Sequence, residues 1–107
     1  MKLKRSYIKR KWKEHNDEEI RKMWDFFALI WKKRPIHKCA TCGKWLGNEP
    51  LSYMFDHILE KSKYPQLKYE EDNLQYLCLL CHDNKGRGFY PEELKIKIEF
   101  LKKKYNL

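Results

Sequence analysis

The chain has 107 residues, 42% hydrophobic and 36% charged, a length that suits one domain with a modest core rather than two. Five Phe, four Trp and seven Tyr argue against a disordered chain, and no apolar run exceeds six residues (Phe26–Trp31 is one such run), too short for a membrane span or a signal-peptide core, so a soluble, non-secreted protein with no membrane partner is expected. Lys and Arg number 24 against 15 Asp and Glu, a net +9, which points to a polyanionic partner because each basic group that meets a phosphate releases a condensed counterion; an inert basic surface is the alternative.

The charge is uneven. Residues 1–38 carry +8, residues 39–90 carry −1 and residues 91–107 carry +2. Seven of the first thirteen residues are Lys or Arg, interleaved with Tyr7, Ile8 and Trp12. Such an arm orders against a partner, its charges tracking a phosphate backbone and its rings free to stack. Tyr7 and Trp12 could equally cover the core.

A helix is predicted over residues 17–34. Asn16 or Asp17 can cap it, and Glu18 and Glu19 suit its positive end. Ile20, Met23, Trp24, Phe27 and Trp31 recur at spacings of three and four, the pattern of a face turned to the core. Lys32, Lys33 and Arg34 suit the C-terminal end, and Pro35 stops it. Leu51–Ile58 reads as a strand, residues 59–72 as a polar loop, and Asn73–Cys78 as a second strand. Leu79–Lys85 starts a short helix that Gly86 and Gly88 end. Pro91, Glu92 and Glu93 open a last helix over residues 91–104, with Leu94, Ile98, Leu101 and Tyr105 at helical spacing. The alternation of Leu94, Ile96, Ile98 and Phe100 leaves a strand open there.

All four cysteines fall in two C-x2-C pairs, Cys39/Cys42 and Cys78/Cys81. Without secretory signals, disulfides explain them poorly. Each pair can form a knuckle that aims two thiolates at one ion, and two knuckles complete a tetrahedral Zn²⁺ site. Four thiolates leave no open position, so the zinc is structural and its binding energy counts toward folding. A redox pair or buried free thiols are the alternatives. The zinc would draw Asp56, His57, Asn73 and His82 together on a compact ββα unit. Asp56 and His57 are neighbours on a strand and point to opposite faces, so serving one site needs a bend or a strand end.

The stretch from Cys39 to Lys85 resembles the HNH endonuclease family, the ββα-metal nucleases, in its small stand-alone phage or bacterial form. It carries C-x2-C, then Asp-His-Ile, then Asn-Leu-Gln-x-Leu-Cys-x2-Cys-His-x2-Lys, with His57, Asn73 and His82 as the three named letters. It departs from the family at Leu59–Pro65, where many members carry Pro and a Gly pair. The resemblance implies an α+β fold: a ββα-metal core stapled by the four-cysteine zinc site, with flanking N- and C-terminal helices. Residues 1–35 would be a basic arm and helix packing on the core, and residues 36–107 the nuclease domain with its C-terminal helix, one compact unit overall.

The resemblance further implies phosphodiester hydrolysis. His57 would activate water, and an imidazole titrating near ~6.5 is mostly neutral at pH 7. Asp56 and His82 would hold Mg²⁺ or another divalent ion that stabilises the leaving 3′ oxygen. Asn73 would orient His57 without touching substrate, and Lys85 and Arg87 would meet the phosphate. The alternatives are a turn hydrogen bond for Asp56, a strand-start cap for Asn73, and a zinc ligand for His82. His15 and His37 receive structural roles. The partner is DNA with RNA still open, because an arm that reads phosphates distinguishes neither. Phage packaging or recombination proteins and a bacterial or phage-infected cytoplasm follow by analogy alone. The competing function is a non-catalytic zinc-stapled nucleic-acid-binding module or accessory factor, which has no need of Asp56-His57 and His82. Oligomeric state is not legible in the sequence.

Overall fold

Helix α1 spans Asp17–Lys33, within one residue of its expected end. Its inward face buries Met23, Phe26, Phe27 and Ile30, the last completely. Trp24 and Trp31 pack half-buried on the same cluster. The computed structural model describes residues 17–107; the basic arm over residues 1–13, His15 and the cap at Asn16 lie outside them.

Strands β1 (Phe55–His57) and β2 (Leu74–Tyr76) pair antiparallel, with Phe55 opposite Tyr76, Asp56 opposite Gln75 and His57 opposite Leu74. Both are shorter than expected. Ser52–Met54 and Glu71–Asn73 turn as 3₁₀ segments instead, and Cys78 leaves β2 to become the N-cap of the next helix. Pairing nevertheless continues one bond beyond each end, through Leu77 N–H to the Met54 carbonyl (2.9 Å) and Ile58 N–H to the Asn73 carbonyl (2.8 Å). Alternation sends Phe55 and Tyr76 toward α1, where Phe55 stacks on Phe27 with centroids 4.4 Å apart. The Tyr76 hydroxyl donates to the carbonyls of Ile30 and Arg34, both at 3.0 Å.

The segment expected as a plain polar loop carries core. Leu59 and Leu67 are buried with Ile58, Leu94 and Leu101 in a second apolar cluster, and Pro65–Leu67 forms a further 3₁₀ turn. Helix α2 spans Leu79–Gly86; the chain then reverses at Gly88, whose φ of 87° favours glycine. Helix α3 spans Glu92–Lys104. Leu94 and Leu101 are buried while Ile96 and Phe100 are 60% and 62% exposed, a division that follows helical spacing and excludes the alternating strand. Burying each of those two leucines stabilises the fold by roughly 1.5–3 kcal/mol. The described residues are thus an α+β arrangement of three helices and one two-stranded sheet, as the residue pattern led one to expect.

Candidate functional site

The two cysteine knuckles meet. Gly43, at φ 77°, lets the first one turn, and the Cys39 N–H donates to the Lys44 carbonyl at 2.9 Å. An Ala40 N–H bond to the Tyr76 carbonyl (2.8 Å) ties this knuckle to β2. The four Sγ atoms lie within 4.8 Å of one another, and those of Cys42 and Cys78 are 3.7 Å apart. A tetrahedral zinc with bonds of about 2.3 Å sets sulfurs about 3.8 Å apart. The N–H groups of Cys42 and Cys81 each approach the first sulfur of their own pair at 3.5 Å. Burial opposes ionisation of the Cys39 thiol, but N–H donors from Cys42, Cys78 and Thr41 outweigh it and hold the group below the ordinary thiol range. This donor set fits a structural metal such as zinc and leaves no position open to substrate. His82 is not in the sulfur group. His37 bonds the Trp31 carbonyl at 2.9 Å and stacks on the Trp31 ring, the structural role expected of it.

A cleft of about 730 Å³ opens beside the sheet, and Asp56, His57, His82 and Lys85 all line it. Alternation does separate Asp56 from His57: the His57 ring sits 6.2 Å from Phe27 of α1, whereas Asp56 meets Lys85 of α2. Both still border the cleft, because β1 ends at His57. His57 Nε2 is 2.9 Å from the Lys68 carbonyl oxygen. A carbonyl only accepts, so Nε2 carries the hydrogen, and the neutral ring keeps its lone pair on Nδ1. Burial pushes the His57 pKa below its ordinary value; the Lys68 carbonyl opposes this, and the charge of Lys61 adds to it.

Asp56 is buried. Its cross-strand neighbour Gln75 donates to Oδ2 at 2.9 Å, and the Lys85 ammonium lies 3.1 Å from the carboxylate and 2.8 Å from the His57 carbonyl. His82 is half-buried in the first turn of α2. Among the described residues no group hydrogen-bonds its ring. Asp56 and His82 therefore offer one oxygen and one nitrogen donor to a single cleft. That mixed set suits a divalent ion, and the Asp56 carboxylate already draws a cation. Arg87 is exposed and lines neither this cleft nor a smaller neighbouring one. Asn73 is fully buried and pins the loop: it accepts from Leu59 N–H and donates to the carbonyls of Leu59 and Leu67. Among the described residues its side chain makes no hydrogen bond to His57; it bonds Leu67, one residue before Lys68.

Gln75, Glu19, Lys68 and Tyr69 are participants that sequence reasoning missed. Gln75 holds Asp56; a polar residue at the centre of an apolar strand was the available signal. Glu19 of α1 accepts from Lys68 and, at 2.9 Å, from the Tyr69 hydroxyl. Lys68 chiefly, then Tyr69, hold the Glu19 carboxyl below its ordinary range. The pair steadies the segment whose carbonyl orients His57. No local pattern links residues so far apart in sequence.

Residues 39–88 match the family model described as HNH endonuclease. The match takes in both knuckles, Asp56, His57, Asn73, His82, Lys85 and Arg87. This central segment is therefore similar to the HNH endonuclease family, and that similarity suggests a nuclease-type function on nucleic acid. No curated protein and no solved structure matches the chain significantly. Among the described residues, no helix is long and apolar enough to cross a membrane.

Proposed function

We propose that the protein is a metal-dependent endonuclease that hydrolyses phosphodiester bonds in DNA. The observation that carries this reading is the shared cleft of Asp56, His57, His82 and Lys85. His57 Nδ1 takes a proton from water, and the hydroxide attacks phosphorus. The bond to the 3′ oxygen breaks, leaving a 5′ phosphate and a 3′ hydroxyl that takes its proton from solvent. The Lys68 carbonyl, bonded to Nε2, keeps the ring in the accepting tautomer. A divalent cation held by Asp56 and His82 supplies, when bound, neutralisation of phosphate charge and stabilisation of the leaving oxygen. Asn73 is a positioning residue through the loop that presents Lys68, and Arg87 offers an exposed guanidinium to phosphate. The four-thiolate zinc holds the knuckles and α2, and with α2 the position of His82.

The deciding experiment is supercoiled plasmid incubated with the zinc-loaded protein across a series of Mg²⁺, Mn²⁺, Ni²⁺ and Zn²⁺, beside His57→Ala. Nicking or linearisation by the wild type with at least one ion, and none by the variant, is expected. A plasmid left intact in every ion would favour a binding module, and equal cleavage by the variant would remove the proposed base. Single-stranded DNA and RNA in the same assay separate the substrates.

A further inference from the structure

The environment of Asp56 already contains a positive charge supplied by the chain itself. Lys85 and Asp56 are almost fully enclosed, with side chains 10% and 8% exposed. The Lys85 ammonium reaches both Asp56 oxygens at 3.1 Å and the His57 carbonyl at 2.8 Å. It donates to Asp56 Oδ1 and to the His57 carbonyl, and pairs with Oδ2 as an ion. Gln75 completes the carboxylate from the opposite strand at 2.9 Å and is itself approached by Lys97 of α3 at 3.3 Å. Lys85 follows His82 by three residues on α2, so the two share a helix face directed at one cleft.

A buried carboxylate needs a counter-ion. Lys85 meets that need in the protein as it stands. A divalent ion on Asp56 would set a second, larger positive charge a few ångströms from the ammonium in a poorly screened place, and the two repel. They also compete for the same oxygen lone pairs.

We propose that Lys85 is the resident counter-ion of Asp56 and competes with the divalent cation for it, so that loading of the cleft requires the ammonium to leave the carboxylate. This rests on the assignment of Asp56 to the divalent ion. The arrangement keeps the carboxylate paired and the cleft ordered until a cation arrives. Once displaced, the Lys85 ammonium is free to turn to a substrate phosphate, so one side chain serves two positions in succession.

The test uses the full chain with its zinc in place and titrates Mn²⁺ in the absence of nucleic acid, following the loss of the free-ion paramagnetic resonance signal. Lys85→Met, which keeps the length and removes the charge, is expected to bind Mn²⁺ at least tenfold more tightly than wild type. Lys85→Arg, which keeps the charge, is expected to stay within about threefold. Asp56→Asn is expected to abolish this binding in the wild type and in the Lys85→Met background. Equal affinity in wild type and Lys85→Met, both lost with Asp56→Asn, would overturn the competition and leave the metal assignment standing. Binding indifferent to Asp56→Asn would overturn the assignment and the competition with it. Should Lys85→Met fail to fold, the wild type still decides. The Lys85 side-chain ammonium should give a protected ¹H–¹⁵N signal in the zinc-loaded protein before Mg²⁺ is added, and lose it as Mg²⁺ is brought to saturation. A signal unchanged at saturation would overturn the proposal.

Discussion

The Asn73 side chain hydrogen-bonds both backbone groups of Leu59, accepting from its N–H at 2.7 Å and donating to its carbonyl at 3.1 Å. One amide thereby does what a further pair of ladder bonds would do, closing the sheet where β1 has ended. The same NH₂ reaches the Leu67 carbonyl at 3.3 Å, which also accepts from the Glu70 N–H at 3.2 Å, so the two backbone groups of Leu59 are the ones that depend on this single fully buried side chain. Asn73→Ala leaves them unpaired, at about 1–3 kcal/mol for each that water cannot reach. A loss of at least ~2 kcal/mol in urea unfolding is expected, with DNA cleavage falling further than stability alone explains because the loop carries the Lys68 carbonyl. Asn73→Asp keeps the acceptor and loses the donors, so it should fall between the two. A variant as stable as wild type would show that water can replace this clasp.

Arg34 forms a second clasp, between the end of α1 and the start of β2. Its guanidinium donates to the Leu74 carbonyl at 2.6 Å and also to the Glu71 carbonyl. Hydrogen bonds from a charged donor are worth about 1.5–3 kcal/mol. Arg34→Ala should lower stability by about that amount, measured by urea denaturation. Arg34→Lys should recover only part of it, because a single ammonium lacks the planar fork that meets both carbonyls.

The sulfur site predicts a sharp dependence on metal. Cys39 and Cys78 are buried and join Leu77 in a small cluster of their own, and structural zinc in small domains contributes about 10–16 kcal/mol of binding energy to the fold. Cys39→Ser or Cys78→Ser should give a protein without zinc that has lost cooperative thermal unfolding, and a strong chelator should do the same to the wild type. A cysteine variant that melts like wild type without metal would remove zinc from the account of the fold.

Tyr105 of the C-terminal segment donates to Asp72 at 2.7 Å, and Lys104 pairs with the same carboxylate. The Asp72 hydrogen bond, assisted by burial, raises the Tyr105 pKa to about 12. The folded protein thus holds this proton while the unfolded chain gives it up near pH ~10. Stability from this contact is fully present below pH ~10 and declines as pH rises toward the folded value. Tyrosinate absorbance should show Tyr105 still protonated at pH 11, and Asp72→Asn should bring its titration back toward the ordinary value. An unaltered titration in that variant would detach Tyr105 from Asp72.

The arm over residues 1–13 holds seven Lys or Arg. Each phosphate contact adds about 0.9 to the slope of log affinity against log salt on duplex DNA. Deleting the arm should flatten that slope by several units while leaving zinc content unchanged. An unchanged slope would place the electrostatic grip elsewhere.

The sequence by itself determined a good deal. The helix over residues 17–33 and the two knuckles were legible because helical periodicity and C-x2-C spacing are local patterns; a family motif marked the polar quartet of Asp56, His57, Asn73 and His82, of which all but Asn73 line the cleft. Strand lengths were not legible. Whether Leu51–Met54 extends a strand depends on what lies opposite, and there the partner chain has turned off at Cys78. The tertiary structure alone decided which groups support the quartet. Gln75 meets Asp56 across strands, Glu19 steadies Lys68 from another element, and Lys85 lies on Asp56 although its residue type suggested phosphate. Hydrogen bonds and ion pairs of this kind join residues far apart in the chain. They are set by the distances that folding creates, and no periodicity records them.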